Sequence, residues 1–428
     1  MKSLTIAAFL PALLLGSPLY AATTYTCSPA RSGALPLTAG SAYSATAAGF
    51  DLHSTPQIVA GFCTSDKPFF FSIPVAEGNY RVTVELGSAE ASLTTVRAEA
   101  RRLMVEKLST PAGKSAIRSF DVSVRTDLIA GSTPQHVKLK PREVGNLDWD
   151  GKLTLEFNGT HPGFRSIRIE PVEEPVVYLA GDSTVVDQDV EPWAAWGQML
   201  PRFFAPGIVV SNQAESGETT RSFESERRFA KIFSSIKKGD YLFFQFGHND
   251  QKPENKVPLD LYKQLLTKYI AQARAAGATP VLVTSMLRRN FLEDGKVKDT
   301  MAGYPDAMRE VAREQNVALI DLNAMSRTLW EALGPEASKK AFMHYDVNSF
   351  PGQAEAIHDD THFNSYGAYE LAQCMAKGLR ATGLPLAKSL QEPNKNFDPA
   401  HPDDPARVSL PFTPIPARDG DVTKVPQV

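Results

Sequence analysis

Five short runs between residues 176 and 322 are almost wholly apolar: VVYLA (176–180), GIVVSN (207–212), YLFFQF (241–246), PVLVTSM (280–286) and VALIDL (317–322). A strand with one wet face alternates polar and apolar residues, whereas a strand covered on both faces reads as a continuous apolar run. Helical patterns lie between these runs. Leu265, Leu266, Tyr269, Ile270 and Ala273 fall at helical spacing, with Gly277 where a C-terminal cap belongs. Pro192 is expected to open a helix striped by Trp193, Trp196, Leu200 and Phe203. Alternation of this kind predicts an α/β fold, a doubly wound parallel five-stranded sheet. Ligands in such sheets bind beyond the carboxyl ends of the strands, at the switch in strand order.

The chain ahead of this region has another rhythm. FFFSIPV, YRVTVEL, RSFDVSVR, HVKLK, KLTLEF and RSIRIE are short, often alternating, and separated by Gly, Ser, Pro and Asn. They predict an all-β sandwich or jelly roll over residues 23–172, joined by the linker EPVEEPV (170–176) to an α/β region over 173–385. From residue 386 to 428 the chain is rich in proline and charge and is expected to be an extended tail. The opening MKSLTIAAFLPALLLGSPLYAA (1–22) places a lysine before an apolar stretch broken by Pro11, then small residues at Ala21 and Ala22. This is the pattern of a cleaved export signal, too short to cross a bilayer comfortably. The mature protein is therefore expected outside the cytoplasm, periplasmic or extracellular.

An exported compartment permits disulfides. Of the three cysteines, Cys27 and Cys63 share the early region and are the candidate pair, although sequence alone does not give connectivity. Cys374 falls on the apolar stripe of a helix predicted at about 365–382 and reads as an inert core thiol. A formal net charge of −3 points to neither a nucleic-acid partner nor an anionic membrane. A monomer is expected.

The polar residues that follow the apolar runs carry the chemistry. Gly181-Asp182-Ser183-Thr184 follows the first, QAESGETTRSF with Gly217 the second, Gly247-His248-Asn249-Asp250 the third and Leu287-Arg288-Arg289-Asn290 the fourth. HDDTHFNSYGA, with Asp359 and His362, forms a later loop ahead of a helix. A serine needs a base to take its proton, and an imidazole ordinarily titrates near neutrality. Asp359 can accept from the other ring nitrogen of His362 and fix its tautomer. The backbone N–H groups of Ser183 and Gly217 and the side-chain amide of Asn249 are placed to meet a negative oxygen. Each piece alone has a plainer reading: a turn serine, a turn glycine, a helix cap. Their joint occurrence after successive strands favours the catalytic one.

The blocks GDST, ESGETTRSF, FGHND and DDTHF resemble the Ser-Gly-Asn-His blocks of the GDSL/SGNH hydrolase superfamily, and more narrowly the rhamnogalacturonan acetylesterases of carbohydrate esterase family 12. MLRRNF, YPDAMREVA, LIDLNAMSRTLWEALGPE and THFNSYGA also resemble that family, over roughly residues 175–385. The resemblance implies a flavodoxin-like SGNH fold, Ser183 as nucleophile, Asp359 and His362 as its triad partners, and Gly217 and Asn249 in the oxyanion hole. It implies no metal or organic cofactor, and acetylated plant cell-wall polysaccharide as substrate. The early β-region is similar to the galactose-binding-like domain found ahead of some bacterial members. No G-x-S-x-G surrounds Ser183, which sets the chain apart from the α/β-hydrolase nucleophile elbow.

Pectin carries uronate carboxylates, so Arg221, Arg288 and Arg289 are candidate substrate contacts. The alternative is that they bond to acids such as Glu215 and Glu218 or to loop carbonyls. Trp193 and Trp196 read as core residues rather than sugar platforms. Trp149 is open to either role. The rival functions are a GDSL-type lipase or thioesterase, a xylan acetylesterase, and a non-catalytic carbohydrate-binding protein. A metal hydrolase using His358, Asp359, Asp360 and His362 is weaker, because all four ligands crowd one loop.

Overall fold

The computed structural model describes residues 22–28, 33–350, 353–391 and 395–414. All of the expected export signal except Ala22 lies outside the described residues, as does the end of the tail. Strands β1 (Val176–Gly181), β2 (Val209–Asn212), β3 (Tyr241–Gln245), β4 (Thr279–Val283) and β5 (Ala318–Ile320) form one parallel sheet in the order β2-β1-β3-β4-β5. The chain steps from β1 to one side and then returns to the other, so strand order reverses between β1 and β3. Val177, Leu179, Phe243, Val281 and Val283 face a layer containing Trp196, Phe203 and Leu371. Tyr178, Ala180, Leu242, Phe244 and Leu282 face a second layer containing Phe223, Phe229, Tyr262 and Tyr269. Successive side chains thus enter different dry layers, which is why the runs carry no polar alternation.

The helix Leu259–Ala275 buries Tyr262, Leu266, Tyr269, Ile270 and Ala273, and Gly277 follows with φ +78°. The helix expected from Pro192 starts only at Trp196 (Trp196–Met199) and continues as a 3₁₀ turn over Leu200–Phe203. The backbone before it is committed elsewhere. The Ala194 N–H donates to the Phe363 carbonyl at 2.8 Å, and the Trp193 carbonyl accepts from Arg101 at 2.9 Å. Both tryptophans are buried. Cys374 lies buried on the helix Ser365–Thr382, and its thiol is unpaired. Among the described residues no helix is long and apolar enough to cross a membrane.

Ahead of the parallel sheet, two mainly antiparallel sheets stack face to face. One contains Ser115–Val124, Gly78–Gly87, Gly163–Pro171 and Thr23–Thr26, and the other Phe69–Pro74, Lys152–Thr160, Ser92–Ala98 and Arg102–Thr110. In Gly78–Gly87 the residues Tyr80, Val82, Val84 and Leu86 alternate inward. Between the sheets Phe157 packs on Phe164 at 4.7 Å and on Phe69 at 5.2 Å, ring centre to ring centre.

Cys27 and Cys63 are joined as a disulfide across a separation of 36 residues. Closing a loop of that length in the unfolded chain is worth roughly 3–4 kcal/mol. The Cys27→Ala/Cys63→Ala variant is expected to lose about that much stability in urea unfolding while keeping its esterase activity. An unchanged midpoint would mean the bridge is absent from the folded protein in solution.

One expected strand is not there. Of HVKLK only His136 joins a ladder, the two-residue strand Gln135–His136. The Lys138 N–H instead donates to the Glu226 carbonyl at 3.0 Å, and Pro141 opens a 3₁₀ turn over Pro141–Glu143. This stretch leaves the sandwich and lies against the loop after β2. Charged residues line the same junction. Arg102, almost fully buried, pairs with Asp187 at 3.2 Å and Asp148 at 3.3 Å. The tail also spans it: Arg97 donates to the Pro411 carbonyl at 2.6 Å, and the Gln391 N–H to the Phe203 carbonyl at 2.7 Å.

Candidate active site

Strand β1 ends at Gly181, where a Cβ would sit 2.5 Å from the Val185 side chain and 3.0 Å from the Gln245 carbonyl. Only glycine fits that turn. Beyond it a buried chain of hydrogen bonds fixes the next residues. Asp182 Oδ1 accepts from the Thr184 N–H at 3.0 Å and the Thr184 hydroxyl at 2.7 Å. Gln245 Nε2 donates to Thr184 Oγ1, and Trp196 Nε1 donates to Gln245 Oε1, each at 2.7 Å. Ser183 is left between two pinned neighbours with its own hydroxyl uncommitted to the network.

That hydroxyl meets His362: Ser183 Oγ lies 2.8 Å from Nε2. On the far side of the ring, Nδ1 lies 2.6 Å from Asp359 Oδ2. The other Asp359 oxygen accepts the N–H groups of Thr361 (2.7 Å) and His362 (3.0 Å). Burial alone pushes the Asp359 carboxyl up. The hydrogen bond and charge of His362, with the two N–H groups, outweigh it and hold the pKa at about 2. An anion facing Nδ1 keeps the proton there and leaves the Nε2 lone pair for the serine hydroxyl.

Asp359 and His362 do not lie in an open loop, as the sequence suggests, but on a strand. Strands β6 (Phe342–Tyr345) and β7 (Ile357–Phe363) form an antiparallel ribbon. Met343 faces Asp359 and Phe342 faces Phe363, so Asp360, Thr361 and His362 form a bulge. A bulge re-aims the side chains it carries, and here the imidazole turns towards Ser183. Asp360 anchors the bulge from outside. Its Oδ1 lies 2.7 Å from His344 Nε2 and 2.9 Å from Arg289 Nη1.

The loops after β2 and β3 meet at the end of β1, where the Glu215 N–H donates to the Gly181 carbonyl at 3.2 Å. Gly217 occupies the turn after β2 with φ +82°, a conformation that favours glycine. Asn249 is buried, and its Nδ2 donates to the Glu218 carbonyl at 3.0 Å, one residue past that turn. One N–H of the amide is thereby used, and the other remains for a ligand. Its neighbour His248 ties three loops together, with Nδ1 3.5 Å from Asp182 Oδ2 and Nε2 3.0 Å from the Met286 carbonyl. Burial lowers the His248 pKa against the pull of Asp182.

The three candidate arginines separate. Arg289 is committed to Asp360 and to the Pro335 carbonyl at 2.5 Å. Arg288 donates to the carbonyls of His248 and Thr300, each at 3.3 Å. Arg221 is exposed on the helix Thr220–Ser225, and its side chain has no hydrogen-bond or ion-pair partner among the described residues. Glu215 and Glu218 are partnered by cations that the sequence does not single out. Arg142 Nε donates to Glu215 Oε1 at 2.7 Å, and Lys140 pairs with Glu218. Lys138 and Lys140 read in the sequence only as part of the strand HVKLK, and Arg142 lies beyond it, after Pro141. Trp149 is engaged within the protein. Arg125 covers its ring at 4.4 Å and its Nε1 donates to Glu143 at 3.2 Å. Among the described residues no three His, Cys, Asp or Glu side chains converge to hold a metal ion.

Residues 179–368 match the model of the GDSL-like lipase/acylhydrolase family. The chain is 45% identical over 222 residues to rhamnogalacturonan acetylesterase RhgT of Bacillus subtilis, spanning 51% of this chain and 96% of that one. It is 39% identical over 219 residues to the probable rhamnogalacturonan acetylesterase YesY of the same organism, covering 50% and 96%. A longer match, 27% identical over 319 residues, joins 73% of this chain to 75% of the uncharacterized esterase YxiM of Bacillus subtilis, and so includes part of the β-region. With residues 179–368 matching the family model and a relative 45% identical over 96% of its own length, the chain belongs to the GDSL-like lipase/acylhydrolase, or SGNH, family and is a carboxylic ester hydrolase.

Proposed function

We propose that the protein is an exported serine esterase that removes acetyl groups from acetylated plant cell-wall polysaccharide, with the rhamnogalacturonan backbone of pectin as its preferred polymer. The hydrogen-bonded chain from Ser183 through His362 to Asp359 carries the proposal. Ser183 Oγ attacks the acetyl carbonyl as His362 Nε2 takes its proton. The tetrahedral oxyanion is met by the N–H groups of Ser183 and Gly217 and by the Asn249 amide. As the bond from the acetyl carbon to the sugar oxygen breaks, His362 protonates that departing oxygen, which leaves as a hydroxyl, and an acetyl-enzyme remains. Water, deprotonated by the same imidazole, releases acetate and restores Ser183.

The polymer is suggested by what RhgT and YesY are named for. Export is supported by the pattern of residues 1–22 and by the Cys27–Cys63 bridge, which belongs to an oxidising compartment. Acetate release from acetylated rhamnogalacturonan, homogalacturonan and xylan, beside hydrolysis of a long-chain acyl ester, tests the substrate. The highest kcat/KM is expected on rhamnogalacturonan. A preference for xylan, or for the long acyl chain, would replace the pectic assignment with a xylan acetylesterase or a lipase.

A further inference from the structure

Lys140 and Arg142 come from the β-region, yet both end on one atom of the α/β region. Lys140 Nζ donates to the Ser216 carbonyl oxygen at 2.7 Å, and Arg142 Nη2 donates to the same oxygen at 2.5 Å. That carbonyl belongs to the Ser216–Gly217 peptide, whose other polar group is the Gly217 N–H. The peptide is planar and trans, so its C=O and N–H point in opposite directions. Holding the oxygen therefore aims the hydrogen. Two cations on the oxygen also draw electron density from the amide nitrogen, which makes its N–H a stronger donor.

The cations are themselves held firmly. Arg142 is tied through Nε to buried Glu215, and Lys140 to buried Glu218. The Lys140 N–H donates to Glu143 Oε2 at 2.8 Å. Glu143 in turn takes both terminal nitrogens of buried Arg228, at 3.1 and 2.5 Å. No neighbour from outside this cluster lies nearer the turn's open side: a Cβ placed on Gly217 would find only Lys140 Nζ, at 3.8 Å. An ion-pair patch that merely glued two regions together would have no need to converge on one backbone carbonyl.

We propose that Lys140 and Arg142 are positioning residues for ester hydrolysis, holding and polarising the Ser216–Gly217 peptide so that the Gly217 N–H faces the developing oxyanion. This rests on Gly217 being an oxyanion donor, as in the function proposed above. It makes the β-region part of the catalytic machinery.

The test uses the full chain and p-nitrophenyl acetate, which carries no sugar and no carboxylate. Lys140→Met/Arg142→Met is expected to lower kcat by about 10- to 100-fold, somewhat less than the loss of a whole oxyanion donor. KM should change by no more than about twofold, because the carbonyl is neutral in the ground state. Lys140→Arg and Arg142→Lys should each retain most of kcat. Removing a cation takes from a buried glutamate its nearest ion-pair partner, which can unfold a protein. Lys140→Met/Arg142→Met/Glu215→Gln/Glu218→Gln avoids that and should show the same kcat loss in a folded chain, checked by circular dichroism, while Lys140→Met/Glu218→Gln and Arg142→Met/Glu215→Gln, each keeping one cation on the carbonyl, should lose less. Asn249→Ala is run alongside, with an expected kcat loss of roughly 10²–10³. Unchanged kcat in the cation variants beside a loss in Asn249→Ala would overturn the clamp and leave the oxyanion hole standing. Unchanged kcat in all of them would remove the oxyanion assignment and the clamp together. A defect confined to KM on acetylated pectin would make the two cations substrate contacts, and the clamp would again be wrong.

Discussion

Ser183→Ala is expected to lower kcat on p-nitrophenyl acetate by about 10⁶-fold, the scale set by removal of the nucleophile from a serine triad. The fold should not notice. The buried bonds around residue 183 run from Asp182 to Thr184, then to Gln245 and Trp196, and none of them uses the Ser183 hydroxyl. The backbone contact of the turn, Gln188 Nε2 to the Ser183 carbonyl at 3.0 Å, also survives the change. The variant should therefore unfold at nearly the wild-type midpoint while releasing no acetyl group in a stopped assay. A variant that keeps even a tenth of wild-type turnover would remove Ser183 from the reaction.

What the sequence makes legible, and what it hides, follows from which contacts are local. The parallel sheet is legible because both its faces are dry: Val177 and Leu179 enter one layer, Tyr178 and Ala180 the other, and no polar residue interrupts the run. The strand-end blocks are legible because each follows such a run at once, as Ser183 follows Gly181 and Asn249 follows Phe246. The ribbon holding His362 is not. IHDDTHF has neither a dry face nor alternation, and it becomes a strand only because Phe342–Tyr345 lies alongside it. Pro192 signals a helix start, but Phe363, distant in sequence, claims the Ala194 N–H. Lys140 and Arg142 are hidden for the same reason. Their roles depend on Ser216, more than seventy residues on, and no periodicity reports such a partner. Arg289 shows the converse: its sequence position suggests a ligand contact, and Asp360 satisfies it from within the chain.

The second large effect concerns the tautomer of the base. Asp359→Asn is expected to lower kcat by about 10⁴-fold with little change in KM. An asparagine in this place still accepts the Thr361 and His362 N–H groups through its carbonyl oxygen, as Asp359 Oδ1 does at 2.7 and 3.0 Å. Its amide then faces His362 Nδ1, where Asp359 Oδ2 lies at 2.6 Å. An N–H donor there holds Nδ1 as an acceptor and drives the ring proton to Nε2, so the ring presents a hydrogen to Ser183 Oγ instead of a lone pair. The pH dependence separates this from a loss of charge. With its pKa at about 2, Asp359 is an anion throughout the range in which the protein would be assayed. The sign of the linkage follows: its contribution as a carboxylate is complete above its ordinary value of 3.8 and fades only as pH falls towards 2. An acid limb of kcat/KM between pH 4 and 7 thus reports a different group, and the Asp359→Asn variant should keep one, at much reduced amplitude. A variant whose acid limb vanishes would make Asp359 the titrating residue. A variant with wild-type kcat would show that neither the charge nor the tautomer set by residue 359 enters the reaction.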